Sequence, residues 1–253
     1  MGELQQFATP RGFGTQGDTD AAALVLDKMT QIGLSNVHYE DFTASIGAGK
    51  NVVGDMGSGP TIIVIGAHHD SVSNCNGAVD NAAGTAAMLE TAQVLMACKD
   101  KLTQYKLRFV SFDAEEPDGD YWGSHAYVDA HTSDSNPTMI NLDCLGYKSD
   151  KGLTVYESSS SVSLSGSANK ACTYLKTTGM TTCSIQTAGG SIESDPASFY
   201  DAGKEYLYPI EDQECGTCNH CKTCADDIST VNSDKLAWGA EYAVYVLADS
   251  YFK

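Results

Sequence analysis

Apolar residues recur at helical spacing through DAAALVLDKMTQIG, at Ala22, Leu24, Val25, Met29 and Ile32, and Gly33 follows as a natural stop. The next stretch, NVHYEDFTA, alternates as a half-buried strand does. From Thr61 the pattern changes. TIIVIGAHHD is a nearly continuous, β-branched apolar run, which marks a strand covered on both faces. A helix is expected over roughly residues 82–98, with Met88, Leu89, Ala92, Leu95 and Met96 on one stripe. KLRFVSFDAEE predicts a strand, GSHAYVDAH a helix and MINLDCLG a further buried strand. LTVYES, a helical stretch near residues 163–177, EYLYPIED and the closing helix LAWGAEYAVYVLADSY complete the series. Strands alternating with helices predict an α/β fold, with a mostly parallel central sheet sandwiched by helices. No repeat, low-complexity tract or linker divides the chain, so a single domain over residues 1–253 is expected.

Charge narrows the possible partners. Fifteen basic against 33 acidic residues give a net charge of −18, a field that repels phosphate. Nucleic acid and anionic membrane surfaces are therefore not expected partners, and no apolar run approaches the ~20 residues of a membrane span. The start, MGELQQFATPRGFG, shows no basic segment followed by an apolar one, so no signal peptide is visible, and export stays open. Nine cysteines are many for a cytosolic enzyme, and Cys215, Cys218, Cys221 and Cys224 form one C-x-x-C run around His220. That spacing suits two short disulfides, the favoured reading, but also a second metal cluster of knuckle type or reduced thiols. With the acidic surface it makes an extracellular location the expectation. Cys98 and Cys144 read as buried core residues.

The candidate chemistry lies at the tips of the predicted strands. His68 and Asp70 follow TIIVIGA; an acid two residues along an extended chain can take the second ring N–H of a metal-bound imidazole. Glu115 and Glu116 end RFVSFDAEE, where adjacent like charges call for water or a cation. Asp143 sits in an apolar segment, and a buried carboxylate must be paired, ligated or protonated. Asp80 in GAVDNAAG suits either a ligand or the cap of the next helix. In open α/β sheets the loops beyond the carboxyl ends of the strands form the ligand crevice, which is where these groups fall.

GAHHDS, VDNAAG, FDAEE, INLDCLG and a late histidine, in this order, resemble the five signature segments of the co-catalytic di-zinc exopeptidases typified by secreted bacterial leucine aminopeptidase. RGFGTQG, NVVGDMGSGPTIIVIGAHHDS and SIESDPASFYDAG resemble that family as well, so the likeness spans nearly the whole chain. The resemblance implies two zinc ions held by His68, Asp80, Glu116, Asp143 and His220, with Asp80 bridging both. It implies Asp70 as the partner of His68, and Glu115 as the general base for a water held between the metals. The substrate would be a peptide with a free N-terminus. NHCKTCADDIS departs from the family's H-T-x-x-D phrase, the acid arriving later, at Asp226 or Asp227. His69 reads as a neighbour of the site, and His38, His125 and His131 as surface or packing residues. Three rivals remain: a single-zinc glutaminyl cyclase, disfavoured by the D-N-A-x-G phrase; a carboxypeptidase, disfavoured because Arg108 lies inside a strand; and a non-catalytic binding module on the same fold.

Overall fold

The computed structural model describes residues 4–134, 138–148, 151–159, 163–188, 192–211 and 224–252. His220 and Cys215, Cys218 and Cys221 lie outside the described residues.

The β-branched run after Thr61 becomes β3 (Thr61–His68), the middle of an eight-stranded sheet. The other strands are β1 (Ser35–Ala44), β2 (Gly47–Met56), β4 (Tyr105–Phe112), β5 (Thr138–Asn141), β6 (Leu153–Glu157), β7 (Cys183–Thr187) and β8 (Tyr206–Ile210). The order across the sheet is β1-β2-β4-β3-β5-β8-β6-β7. Its inner pairings β4–β3, β3–β5 and β5–β8 are parallel, as is β6–β7 at the far edge, whereas β1–β2, β2–β4 and β8–β6 are antiparallel. The sheet is thus mixed, with the parallel part at its centre. Val64 and Ile65 are fully buried, as a strand covered on both faces requires.

The helices are α1 (Leu4–Phe7), α2 (Gln16–Ile32), α3 (Gly84–Met96), α4 (Trp122–Ala130), α5 (Ser165–Thr177), α6 (Pro196–Asp201) and α7 (Ser233–Tyr251). α2, α3, α7 and α5 pack side by side in one layer, and α4 packs with α6 in the other. Thr15 caps α2 by accepting from the Asp18 N–H, and Gly33 closes it in the left-handed region at φ 91°. The expected stripe of α3 faces the core, with Met88, Leu89, Ala92 and Leu95 buried. Cys98 departs from its reading: it lies beyond the end of α3 and is partly exposed, because the helix stops at Met96. Cys144 is buried with a free thiol, as read.

Two disulfides join described residues, Cys75–Cys224 and Cys172–Cys183. The first corrects the reading of the cysteine run. Cys224 bonds across 149 residues to the loop after β3, so it is neither half of a short disulfide within the run nor a thiolate of a four-cysteine cluster. The backbone around Asp226, anchored to Val79 and Asp80, brings it there.

Candidate metal centre

Parallel register sets the site. His68 is level with Phe112 at the end of β4, and Gly66 is level with Asn141 at the end of β5. The residues that follow each strand, 113–116 and 142–143, therefore emerge at the same edge as His68. His68 is wholly buried. Its Nε2 lies 3.2 Å from Asp80 Oδ1, 3.5 Å from Asp143 Oδ1 and 4.0 Å from Glu115 Oε2, while Nδ1 lies 3.3 Å from Asp70 Oδ1. Four of the expected residues thus surround the fifth.

Each is held by its own supports. Asp70, fully buried, accepts the backbone N–H of Glu115 on Oδ1 and that of Glu116 on Oδ2, both at 3.1 Å. One carboxylate so orients the imidazole and shapes the two-glutamate turn. That turn begins at Ala114, whose φ of 57° is left-handed, a conformation costing a non-glycine residue ~1–2 kcal/mol. Asp143 Oδ2 accepts from Ser194 Oγ at 2.9 Å and Tyr208 Oη at 3.1 Å, leaving Oδ1 turned towards His68 without a hydrogen bond. The residue after it, Cys144, is again left-handed at φ 50°.

Asp80 does not cap a helix. It sits in an irregular turn, Ala78–Ala83, with extended φ/ψ of −115° and 92°, and the peptide bond to Asn81 is cis. The neighbouring Asn81 serves α3 instead: its Oδ1 accepts the Gly84 N–H at 2.9 Å, and its amide donates to the Leu142 carbonyl at 3.0 Å. The Asp80 backbone N–H donates to Asp226 at 2.9 Å, as does that of Val79. Asp226 is fully buried, so the late acid of the NHCKTCADDIS phrase acts through the backbone of Asp80.

Burial and charge set the protonation. Burial alone would lower the His68 pKa, but Glu115, Asp143, Asp70 and Asp80 outweigh it and raise it well above the usual range. For Asp70 and Asp143, burial pushes upward and is overcome by His68, so both fall below the ordinary carboxylate value. Glu115 rises well above it, through burial first and then repulsion from Glu116, Asp143 and Asp195, against an opposing pull from His68. Asp195, buried and not singled out from the sequence, is pushed by burial to about 7.

The donor set suits zinc. His68 Nε2 and Asp143 Oδ1 are buried without hydrogen bonds. One imidazole faces Asp70, Asp80, Glu115 and Asp143, an excess of negative charge that a divalent cation relieves. His68, Glu115 and Asp143 offer atoms within 4.8 Å of one another, and so do Asp80, Asp143 and Cys144. Asp143 is common to both groups. Glu116 belongs to neither, although its backbone is pinned beside them by Asp70. Tyr208 and Ser194 were given no role by the sequence reading, whereas Asp226 carried a signal, as one of the two acids trailing the last histidine.

An α/β sheet with this histidine–carboxylate edge defines a class, and the class is shared. The chain belongs to peptidase family M28, whose model matches residues 51–247. It is 36% identical over 152 residues to aminopeptidase YwaD of Bacillus subtilis, a match covering 57% of this chain and 30% of that protein. The chain thus spans under a third of that relative's length. Its fold matches that of BSAP, a zinc aminopeptidase from Bacillus subtilis, with a TM-score of 0.85 at 17% identity, over 100% of this chain and 94% of that one. It also matches the Tannerella forsythia glutaminyl cyclase, with a TM-score of 0.76 at 20% identity, over 100% and 96%.

Proposed function

We propose that the chain is a di-zinc exopeptidase that removes N-terminal residues from peptides. The observation that carries this reading is the convergence of His68, Asp80, Glu115 and Asp143 at one buried strand edge inside a family M28 chain. His68, Asp80, Glu116, Asp143 and His220 are the proposed ligands, with Asp80 shared. Bound zinc supplies positive charge that polarises the scissile carbonyl and acidifies water.

The chain's own residues do the rest. Asp70 Oδ1 faces His68 Nδ1 at 3.3 Å, which favours the proton on that nitrogen and leaves the Nε2 lone pair for the metal. Glu115, with its affinity for protons raised by burial, takes the proton of the attacking water and passes it to the leaving amine. Acidic side chains around the site favour a substrate bearing a free α-ammonium group.

A carboxypeptidase would need a cation for the terminal carboxylate, and the chain's two arginines are committed elsewhere. Arg108 pairs with Asp55 at 2.8 Å and Asp134 at 3.1 Å, and Arg11 is buried among backbone carbonyls, donating to those of His69, Phe7, Asn76 and Gly77. The cyclase reading rests on the fold likeness, and substrate separates it from ours. The zinc-loaded chain should release nitroaniline from aminoacyl-nitroanilides, lose that activity to a chelator, and leave an N-terminal glutamine peptide uncyclised. Glu115→Gln should keep its zinc and turn over ~10²–10⁴-fold more slowly. Full turnover in that variant would remove Glu115 from the role, and cyclisation without hydrolysis would overturn the peptidase reading.

A further inference from the structure

On the opposite side of the β3 tip lies a second convergence that the proposed chemistry does not use. His69 continues β3 in extended form, its N–H donating to the Phe112 carbonyl at 2.9 Å. Successive side chains of an extended chain point to opposite sides, so His69 faces away from the site that His68 enters. There it meets Asp18, from the first turn of α2, and Asp113, the residue after β4. All three are buried, at 1%, 6% and 2% exposure.

The orientation of each group is fixed from behind. His69 Nδ1 is 3.0 Å from Ser111 Oγ, which fits an N–H donated to the hydroxyl and leaves the Nε2 lone pair free. Asp18 Oδ2 accepts the Gly14 N–H at 2.9 Å, and Asp113 Oδ2 accepts the Lys50 N–H at 2.8 Å. The remaining atoms, His69 Nε2, Asp18 Oδ1 and Asp113 Oδ1, have no hydrogen bond. They face one another, with Nε2 3.6 Å from Asp18 Oδ1 and 4.0 Å from Asp113 Oδ1, and all three lie within 4.8 Å of one another. These gaps exceed a hydrogen bond, yet nearly equal the separation of atoms that share an ion at ~2.0–2.2 Å.

Charge points the same way. Among the described residues, no lysine or arginine pairs with either carboxylate; the Lys50 ammonium lies over the Tyr39 ring instead. Two buried carboxylates sharing one imidazole, with no other cation, carry the uncompensated charge that buried acids avoid. Asp18 and Asp113 also line a cleft of about 480 Å³ between α2 and the β1–β2 hairpin, so the three facing atoms lie just beneath its wall.

We propose that Asp18, His69 and Asp113 form a further divalent-cation site, separate from the proposed di-metal centre and adjoining this cleft. One nitrogen and two oxygens select a first-row ion such as zinc over calcium. The ion would tie the start of α2 to the ends of β3 and β4, two residues before Glu115, and so act as a clamp rather than a reagent.

The test is zinc content and thermal stability of the full chain after zinc loading and dialysis. Wild-type protein should hold one more zinc per chain than Asp18→Asn. Adding zinc to dialysed wild type should raise its melting temperature by more than it raises that of Asp18→Asn, while nitroanilide turnover in the variant stays within about twofold of wild type. Equal zinc content in the two proteins would overturn the site and leave a shared proton between the carboxylates. Should Asp18→Asn fail to fold, an anomalous difference map from a zinc-soaked wild-type crystal decides: density between His69 and the two carboxylates supports the site, and none at saturating zinc refutes it. Failure of the di-zinc reading would show differently, as absent turnover with the Asp18-dependent zinc retained.

Discussion

Asp226 shows how a residue outside the ring of donors can govern it. Its carboxylate accepts the N–H groups of Val79 and Asp80, fixing the turn whose side chain is the proposed metal bridge. Burial raises its pKa while those two N–H bonds, and then the Arg11 guanidinium, pull it back, so the charged form is supported first by backbone donors. Replacing Asp226 with Ala leaves two buried donors unpaired, at a cost of about 1–3 kcal/mol each. We predict zinc affinity about 10–100-fold weaker, the usual effect of losing a group that orients a ligand, measured by competition with a chromogenic chelator. Unchanged affinity would mean the turn holds its shape without Asp226. At this scale the sequence was readable where a polar residue interrupts an apolar run, as Asp143 does. It was not readable where support comes from the far end of the chain: nothing in the spacing of Ser194 or Tyr208 relates them to Asp143.

At the scale of elements, legibility followed burial. β3 and β4 bury almost every side chain and so announce themselves as apolar runs. β7 is an edge strand with one buried residue of five, so CSIQT carries no hydrophobic signal. β2 begins with GAGK, and its glycines mask the buried stretch that follows. The turn before α3 left two uses of Asp80 open because Asp commonly caps a helix, whereas here Asn81 takes that place and Asp80 stays at the site. The Cys75–Cys224 bond works at the same scale, tying the loop after β3 to the segment that carries Asp226. Cys75→Ser should lower unfolding stability by about 2–4 kcal/mol, read from denaturant midpoints at constant slope. A midpoint equal to that of wild type would show that hydrogen bonds alone hold the two segments.

Across the whole molecule, the expected α/β architecture and the single run of elements through the chain are what the sheet displays, with antiparallel pairings at β1, β2 and β6 that periodicity does not encode. No helix among the described residues is long and apolar enough to cross a membrane. The net charge of −18 is partly invested at the sheet's carboxyl edge, where buried acids outnumber cations on both sides of β3. That imbalance is the physical root of the functional reading, since a fold tolerates it only if cations or protons are supplied. The most direct measurement pairs zinc content with turnover for dialysed Asp143→Ala beside wild type. Less zinc per chain and turnover lowered by orders of magnitude, with the circular dichroism spectrum unchanged, is the predicted result; wild-type zinc content together with wild-type turnover would contradict it.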